Sequence, residues 1–363
     1  MTVQLLPSTR TFVLRPDELT RTHVSRWREL QLADERLANP FLSPEFALAV
    51  GHARPNARVA VMEHDGEAVG FFPFERNAFG VGRALGFGIA DCQGVVHARG
   101  VHWDALELTA ACGLAVLEFD HLLAYQAPFV PHHVVSEKSP IIDLGAGFAH
   151  YIAEHSSLER QLRRSRRQVE REVGKLSFEL EVDDGQALAR LMAWKSAQYR
   201  RTGRFDRFAR RPVAQIVEEL MDVRSDGCRG MLSMLYADGI PMAAHYGLRS
   251  STVLCSWFPA FDVRFSRYRP GLLLFRHLAE AAAAQGIRHI DLGKGHEQYK
   301  QELKNGDIEI AEGWVERPTP AAMVRRVQRA PRRFVLDFVL SRPALRRGAR
   351  RALRSVGRVR TWS

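Results

Sequence analysis

The second half of the chain predicts an α+β fold, a mostly antiparallel sheet flanked by helices, and three observations carry the prediction. Two β-like runs, Met231 to Tyr236 and Ile240 to Leu248, meet at Asp238-Gly239, which is the turn chemistry of a tight hairpin. A β-branched and aromatic run, Thr252 to Pro259, supplies a third strand. A Leu- and Ala-rich stretch, Leu272 to Gln285, follows Pro270 and stops at Gly286, as a helix with defined ends does.

Taken in order, the elements begin upstream. Val59 to Glu63 and Ala68 to Phe74 form a first hairpin at Asp65-Gly66, and laying it over the second puts Val69-Gly70 opposite Met242-Ala243. Asp-Gly turns are common, so one matched hairpin does not establish duplication, but it fits a chain of two similar domains. Leu158 to Leu176 and Gln186 to Thr202 read as helices. After the third strand come a polar loop, Phe261 to Arg269, the Leu/Ala helix, a strand over Ile287 to Leu292 and a turn at Gly293 to Gly295. A short helical stretch, His296 to Lys304, ends at Asn305-Gly306 before a last strand, Ile308 to Val315. The resulting order, α-α-β-β-β-α-β-α-β, contains one strand-helix-strand crossover.

With 363 residues and roughly 150 per domain, two domains are expected. We divide the chain at 1–150, 151–320 and 321–363. A hydrophobic content of 46% with 26% charged residues belongs to a folded globular protein. Cys92, Cys112, Cys228 and Cys255 are scattered, with no CxxC pair and no His at zinc-ligand spacing, so neither a metal site nor a disulfide framework is indicated. The N-terminus lacks a secretory pattern and no apolar run approaches the ~20 residues of a membrane span, so a cytoplasmic location is expected. The net charge of +11 is concentrated in the last segment: residues 321–363 hold 13 Arg, no Lys and one acid, leaving the rest of the chain at −1. Such a tail suits an anionic surface, or a solvated helix packed on the body.

The most informative stretch is Arg264 to Phe275, a loop and helix start directly after a strand. A helix N-terminus offers free N–H groups and a positive dipole end, which suit a pyrophosphate. Gly271 allows close approach, and Arg264, Arg267 and Arg269 add charge-assisted donors. The same residues also suit a plain Pro-Gly helix start with solvated arginines. The stretch is not a P-loop, and Gly293-Lys294-Gly295 lacks the third Gly of a dinucleotide-binding turn.

Phe261-Asp262, Tyr268-Arg269-Pro270-Gly271-Leu272-Leu273-Leu274, Gly286, Ile290-Asp291-Leu292-Gly293, Gly295 and Tyr299-Lys300 together resemble the signature of the GNAT branch named for cellulose-biosynthesis acetyltransferases, related to the Fem-type aminoacyltransferases. That branch usually has Ser where this chain has Arg269, a change that keeps the Pro-Gly start but makes the loop more basic. The resemblance covers Leu158 to Val315; in the first half it rests on the hairpin and on Asp91-Cys92-Gln93-Gly94 before a Val-Val run. It implies tandem GNAT-like domains, the second holding acyl-CoA, and acyl transfer by direct attack to an amine or hydroxyl on a sugar or surface-polymer precursor of exopolysaccharide or cell-envelope assembly.

The resemblance also implies site residues. Arg264, Arg267, Tyr268, Arg269, Pro270, Gly271 and Leu272 would bind acetyl-CoA or another acyl-CoA, and the strand Thr252 to Pro259 would face the thioester. Tyr299 would protonate the departing thiolate, its other reading being a ring packed on the sheet. His245, among the small neighbours Ala243 and Gly247, is a candidate acceptor-facing base or a structural His. Asp262 and Asp291 order a loop and cap a turn, or take part in chemistry. Arg164 and Arg167, in an Arg-rich helix with interleaved Glu, together with Tyr199, Arg201 and Lys300, are candidate acceptor contacts.

Two other functions compete: aminoacyl transfer from charged tRNA, as in the Fem-type relatives, and nucleic-acid binding through the basic tail. Against them stand the absence of heptads for a coiled-coil arm and of any helix-turn-helix, zinc-finger or RNA-binding signature, so no DNA partner is expected. The tail itself, with Leu345, Ala349, Ala352 and Val356 on one face, is expected either to dock on an anionic inner membrane face or to close against the catalytic domain.

Overall fold

The computed structural model describes residues 10–326 and 328. The first half runs β1 (Arg10–Leu14), α1 (Arg21–Leu32), α2 (Pro44–Ala53), β2 (Ala57–His64), β3 (Glu67–Arg76), β4 (Val81–Ala84), β5 (Val96–His97), α3 (Ala105–Ala111), β6 (Val116–Leu123) and β7 (His133–Asp143). The second runs α4 (Phe148–Glu154), α5 (Ser156–Glu172), β8 (Leu176–Glu179), α6 (Gly185–Arg201), α7 (Arg211–Asp222), β9 (Arg229–Ala237), β10 (Ile240–Arg249), β11 (Val253–Phe261), α8 (Pro270–Ala284), β12 (His289–Asp291), α9 (Gln298–Leu303) and β13 (Gly306–Glu316).

Both Asp-Gly hairpins form where expected. Asp65 and Gly66 take φ of 51° and 83°, and Asp238 and Gly239 take 51° and 75°, the two successive left-handed positions of a tight hairpin turn. Around each hairpin the pairing repeats. β1, β2, β3 and β4 pair antiparallel in sequence order and β4 pairs parallel with β6; β8, β9, β10 and β11 pair antiparallel and β11 pairs parallel with β12. Two helices follow the first strand of each set and one helix spans each parallel step. The repeat suggested by one hairpin thus extends through ten strands, five in each set.

The two sets then exchange strands within one continuous sheet. β6 pairs with β13 from the far end of the chain, β12 pairs with β7 from the first half, and β7 and β13 pair with each other between them.

Helices cover both faces. Alternation along β11 turns Val253, Cys255 and Trp257 into a core with α6, α7 and the first-half helices, and Leu254 into a second core under α5 and α8. The first of these cores spans both halves: Trp257 packs edge-on against Phe41 and Phe46, with ring centroids 5.4 and 6.1 Å apart. α7 and β8 carry no counterpart in the sequence reading. Val213, Ile216, Val217 and Leu220 are the buried stripe of α7 at helical spacing after Pro212, and that periodicity was available in the sequence. Helix α5 stops at Glu172, four residues before Leu176, because Gly174 at φ 145° breaks it.

Trp27 is a keystone of the first half. It is fully buried, stacked on Phe71 at 4.9 Å, and donates from Nε1 to Leu42 O at 2.8 Å. Trp27→Ala is expected to cost about 3–5 kcal/mol of stability, measurable by urea unfolding.

Most of the Arg-rich tail lies outside the described residues, including the amphipathic face proposed for membrane docking. Its first turns pack on the first half: Ala322 is buried, and Arg325 donates to both oxygens of Glu118 on β6 at 2.7 and 2.9 Å.

Candidate acyl-transfer site

The parallel pairing of β11 and β12 is short. It joins Val253, Leu254 and Cys255 to His289, Ile290 and Asp291; β12 then ends, and the chain turns at Gly293, φ 73°. β11 runs on to Phe261, so its last six residues have an edge that β12 leaves open. Asp291 holds this parting point: its Oδ1 accepts from Ser139 Oγ at 2.6 Å and from Gly293 N at 2.9 Å, a capping role.

Helix α8 starts beside the open edge. Its N-cap residue, Arg269, adopts the left-handed conformation (φ 57°, ψ 48°) and caps nothing with its side chain. The N–H groups of Leu272 and Leu273 bond back to Arg269 O, while that of Gly271 has no partner among the described residues. A Cβ at Gly271 would meet only Phe261 Cδ1, at 3.8 Å, so the protein's own packing does not require glycine there. The equivalent helix of the first half, α3, differs: Asp104 caps it, Oδ1 accepting from Leu106 N and Glu107 N at 2.7 and 3.0 Å. A carboxylate already occupies that helix end.

The loop's arginines are all engaged. Arg264 pairs with Asp262, Arg267 with Glu172 and the Tyr268 hydroxyl, and Arg269 with Glu302 at 2.7 Å and Gln161 at 2.5 Å. Asp262 also accepts from Arg264 N, so it orders the loop. Tyr268 is buried and donates to Glu172, and Pro270 and Leu272 pack into the core. These bonds tie the loop to α5, so Arg164 and Arg167, exposed on that helix, lie on the flank of α8.

Tyr299, on α9, stacks on Phe275 of α8 with centroids 5.9 Å apart, and Phe275 lies edge-on to His245 at 5.8 Å. Burial raises the Tyr299 phenol, so it stays protonated at neutral pH. His245 is fully buried and neither ring nitrogen has a partner; burial, with a smaller push from Lys195, lowers it to about 3. The space beside it is taken by its own ring, since a Cβ at Gly247 would fall 2.6 Å from His245 Cε1. His245 is therefore a neutral imidazole buried inside the domain. Lys300 is buried and donates to the carbonyls of Gly293 and Lys294 at 2.9 and 3.1 Å, which ties the turn after β12.

On the α6 side the structure gathers Tyr199 and Arg201, both expected from the sequence, with groups that the sequence did not single out. Lys195 is buried and donates from Nζ to Pro259 O at 2.8 Å, 5.4 Å from the centroid of the Tyr199 ring, itself buried. Arg204 pairs with Glu297 at 3.1 Å, and Arg201 is exposed at the end of α6. The first half contributes a row of charges: Asp120 Oδ1 lies 3.0 Å from His121 Nδ1, and Asp91 Oδ1 lies 3.8 Å from His121 Nε2. Desolvation pushes the Asp91 carboxyl up. Burial is the largest single influence on Asp120 and opposes its charge, but His121, the Gln93 bond and Lys294 together outweigh it and hold the carboxyl at about 2. Asp91 also stands over the Gly293 turn, where a Cβ would be 3.0 Å from its Oδ2. Both halves therefore meet at the open edge. Among the described residues no group of three His, Cys, Asp or Glu side chains has a metal-binding arrangement.

Residues 156–301, from α5 into α9, match the family profile of an acetyltransferase (GNAT) domain. No curated protein matches the chain. Among solved structures, it resembles the C-terminal DUF2156 domain of an Agrobacterium fabrum protein described as a lysylphosphatidylglycerol synthetase, at 14% identity over 83% of this chain and 94% of that one, with a TM-score of 0.52. It also resembles a conserved protein of unknown function from Bacteroides thetaiotaomicron, at 9% identity over 85% of this chain and 98% of that one, with a TM-score of 0.53. At these identities the likeness speaks for the fold alone. The profile match makes residues 156–301 a GNAT acetyltransferase domain, and the protein that carries it an acyltransferase.

Proposed function

We propose that the protein transfers an acyl group, acetyl in the first instance, from acyl-CoA directly to an amine or hydroxyl on a sugar or related cell-envelope precursor. The observation that carries this reading is the uncapped start of α8 beside the open edge of β11, set against the Asp-capped start of its counterpart α3. The N–H of Gly271 and the dipole end of α8 take the pyrophosphate. The guanidiniums of Arg264 and Arg267 lie at the surface, where ion pairs contribute little, so a phosphate can displace their carboxylates. The thioester then lies along the open edge of β11, whose unpaired N–H groups stabilise the developing oxyanion. Tyr299 approaches from the α8 side, where the thiolate departs, and donates its phenolic proton. The acceptor enters from the side of α6 and the first half, near Tyr199, Arg204 and Asp91.

Acetyl-CoA, longer acyl-CoAs and CoA, each titrated in a thermal-shift assay, test the reading. Acetyl-CoA and CoA are expected to raise Tm in a saturable manner; at a ligand concentration 100 times Kd the stabilisation is about 2.7 kcal/mol. No shift with any of them would refute acyl-CoA dependence.

A further inference from the structure

We propose that the side-chain amine of Lys195 is the general base of the transfer, removing the proton of the acceptor's amine or hydroxyl as that atom attacks the thioester carbonyl. The inference rests on the acyl-CoA reading above and adds to it the group that activates the acceptor.

Position is the first argument. Asp262 N donates to Met242 O of β10, so alternation along the strand turns the Pro259 carbonyl the other way, onto the open edge. Lys195 Nζ donates to that carbonyl at 2.8 Å. Its amine therefore sits where the carbonyl carbon of a thioester laid along β11 is attacked. It arrives from α6, on the face opposite α8, whereas Tyr299 stacks on α8 itself. Base and acid flank the strand edge from opposite sides, as direct transfer between an incoming acceptor and a departing thiolate requires.

Charge is the second argument. Lys195 is buried and forms no ion pair among the described residues. The charged groups facing it are Arg204 and Arg207 from the connection after α6, Lys300 from α9, and Glu297 just before α9. His245, beneath it on β10, is neutral, and the Tyr199 ring lies along its own helix. Desolvation first, then Arg207, Arg204 and Lys300, outweigh Glu297 and bring the amine down to about 7. A substantial fraction is unprotonated at neutral pH, with a lone pair that the Pro259 bond leaves free. By contrast, His121 lies between two carboxylates, with Asp120 on its Nδ1 side and Asp91 on its Nε2 side.

The step balances within these groups. The acceptor's N or O forms the new bond to the acyl carbon, its proton passes to Lys195 Nζ, the C–S bond breaks, and the thiolate takes the proton of Tyr299. The ammonium of Lys195 and the phenolate of Tyr299 are then restored through solvent.

Lysine labelled with ¹³C at Cε gives a readout that needs no acceptor. The Lys195 resonance, assigned by its loss in Lys195→Arg, is expected to titrate with a midpoint near 7; a midpoint above 9 overturns the proposal. Lys195→Arg keeps a donor for the Pro259 carbonyl but cannot act as a base. Thiol release from acetyl-CoA, with glucosamine as the amine probe, is expected to fall at least 100-fold in that variant, while its acetyl-CoA thermal shift stays as in the parent. The pH–rate limb near 7 should vanish with it. Wild-type thiol release by Lys195→Arg would also overturn the proposal. Failure of acetyl-CoA to shift the parent protein is a distinct result, which removes the acyl-CoA reading itself.

Discussion

Gly271→Asp is expected to abolish acyl-CoA binding and leave the fold intact. The backbone at Gly271 is ordinary helix, and an added Cβ meets nothing closer than Phe261 Cδ1 at 3.8 Å. A carboxylate in the first turn of α8 interacts favourably with the helix dipole, so unfolding should be unchanged or slightly harder. That same carboxylate would occupy the place assigned to the pyrophosphate, as Asp104 does on α3. Losing a charge-assisted hydrogen bond and adding like-charge repulsion costs about 3 kcal/mol or more, roughly 100-fold or more in affinity. Calorimetric titration with CoA measures it, and Gly271→Ala, which adds bulk without charge, should lose much less. Parent-like affinity in a folded Gly271→Asp protein would move the site elsewhere.

The second large effect is on turnover. The Tyr299 hydroxyl has no hydrogen-bond partner among the described residues, and its ring stacks on Phe275. Tyr299→Phe therefore keeps the packing and strands no buried polar group. If the phenol protonates the thiolate, turnover should fall by about 10²- to 10⁴-fold, with CoA affinity and Tm unchanged. Near-normal turnover would leave Tyr299 as a packing residue. The two variants divide the site cleanly, since one changes binding and the other changes the chemical step.

Much of this architecture was legible in the residues, and the reason is local. Asp-Gly pairs dictate left-handed turns whatever surrounds them, Pro270 and Gly286 bound α8, and hydrophobic periodicity does the rest. The candidate site was legible only where one segment carries it, as in the loop before α8. Lys195 was not, because a lysine in the middle of an amphipathic helix looks like any solvated one until the strand that buries it is known. Asp91, His121 and Lys300 come together only through the pairing of distant strands. The arginines of the loop show another limit: the sequence counts their charges, but only the fold reveals that Asp262, Glu172 and Glu302 stand beside them.

The exchange of β7 and β13 has a consequence for how the protein is made. When the ribosome releases β6, the strand that belongs at its side, β13, has not been synthesised; almost two hundred residues separate them. At about 5–20 residues per second, the first half waits roughly 10–40 s with an unsatisfied row of N–H and C=O groups along β6. β7 waits too, for β12. The halves therefore cannot mature one after the other as independent units do. They complete each other late, in a closing event that places Asp91 and His121 against the turn after β12, so the proposed acceptor side forms only once the last strand has been inserted.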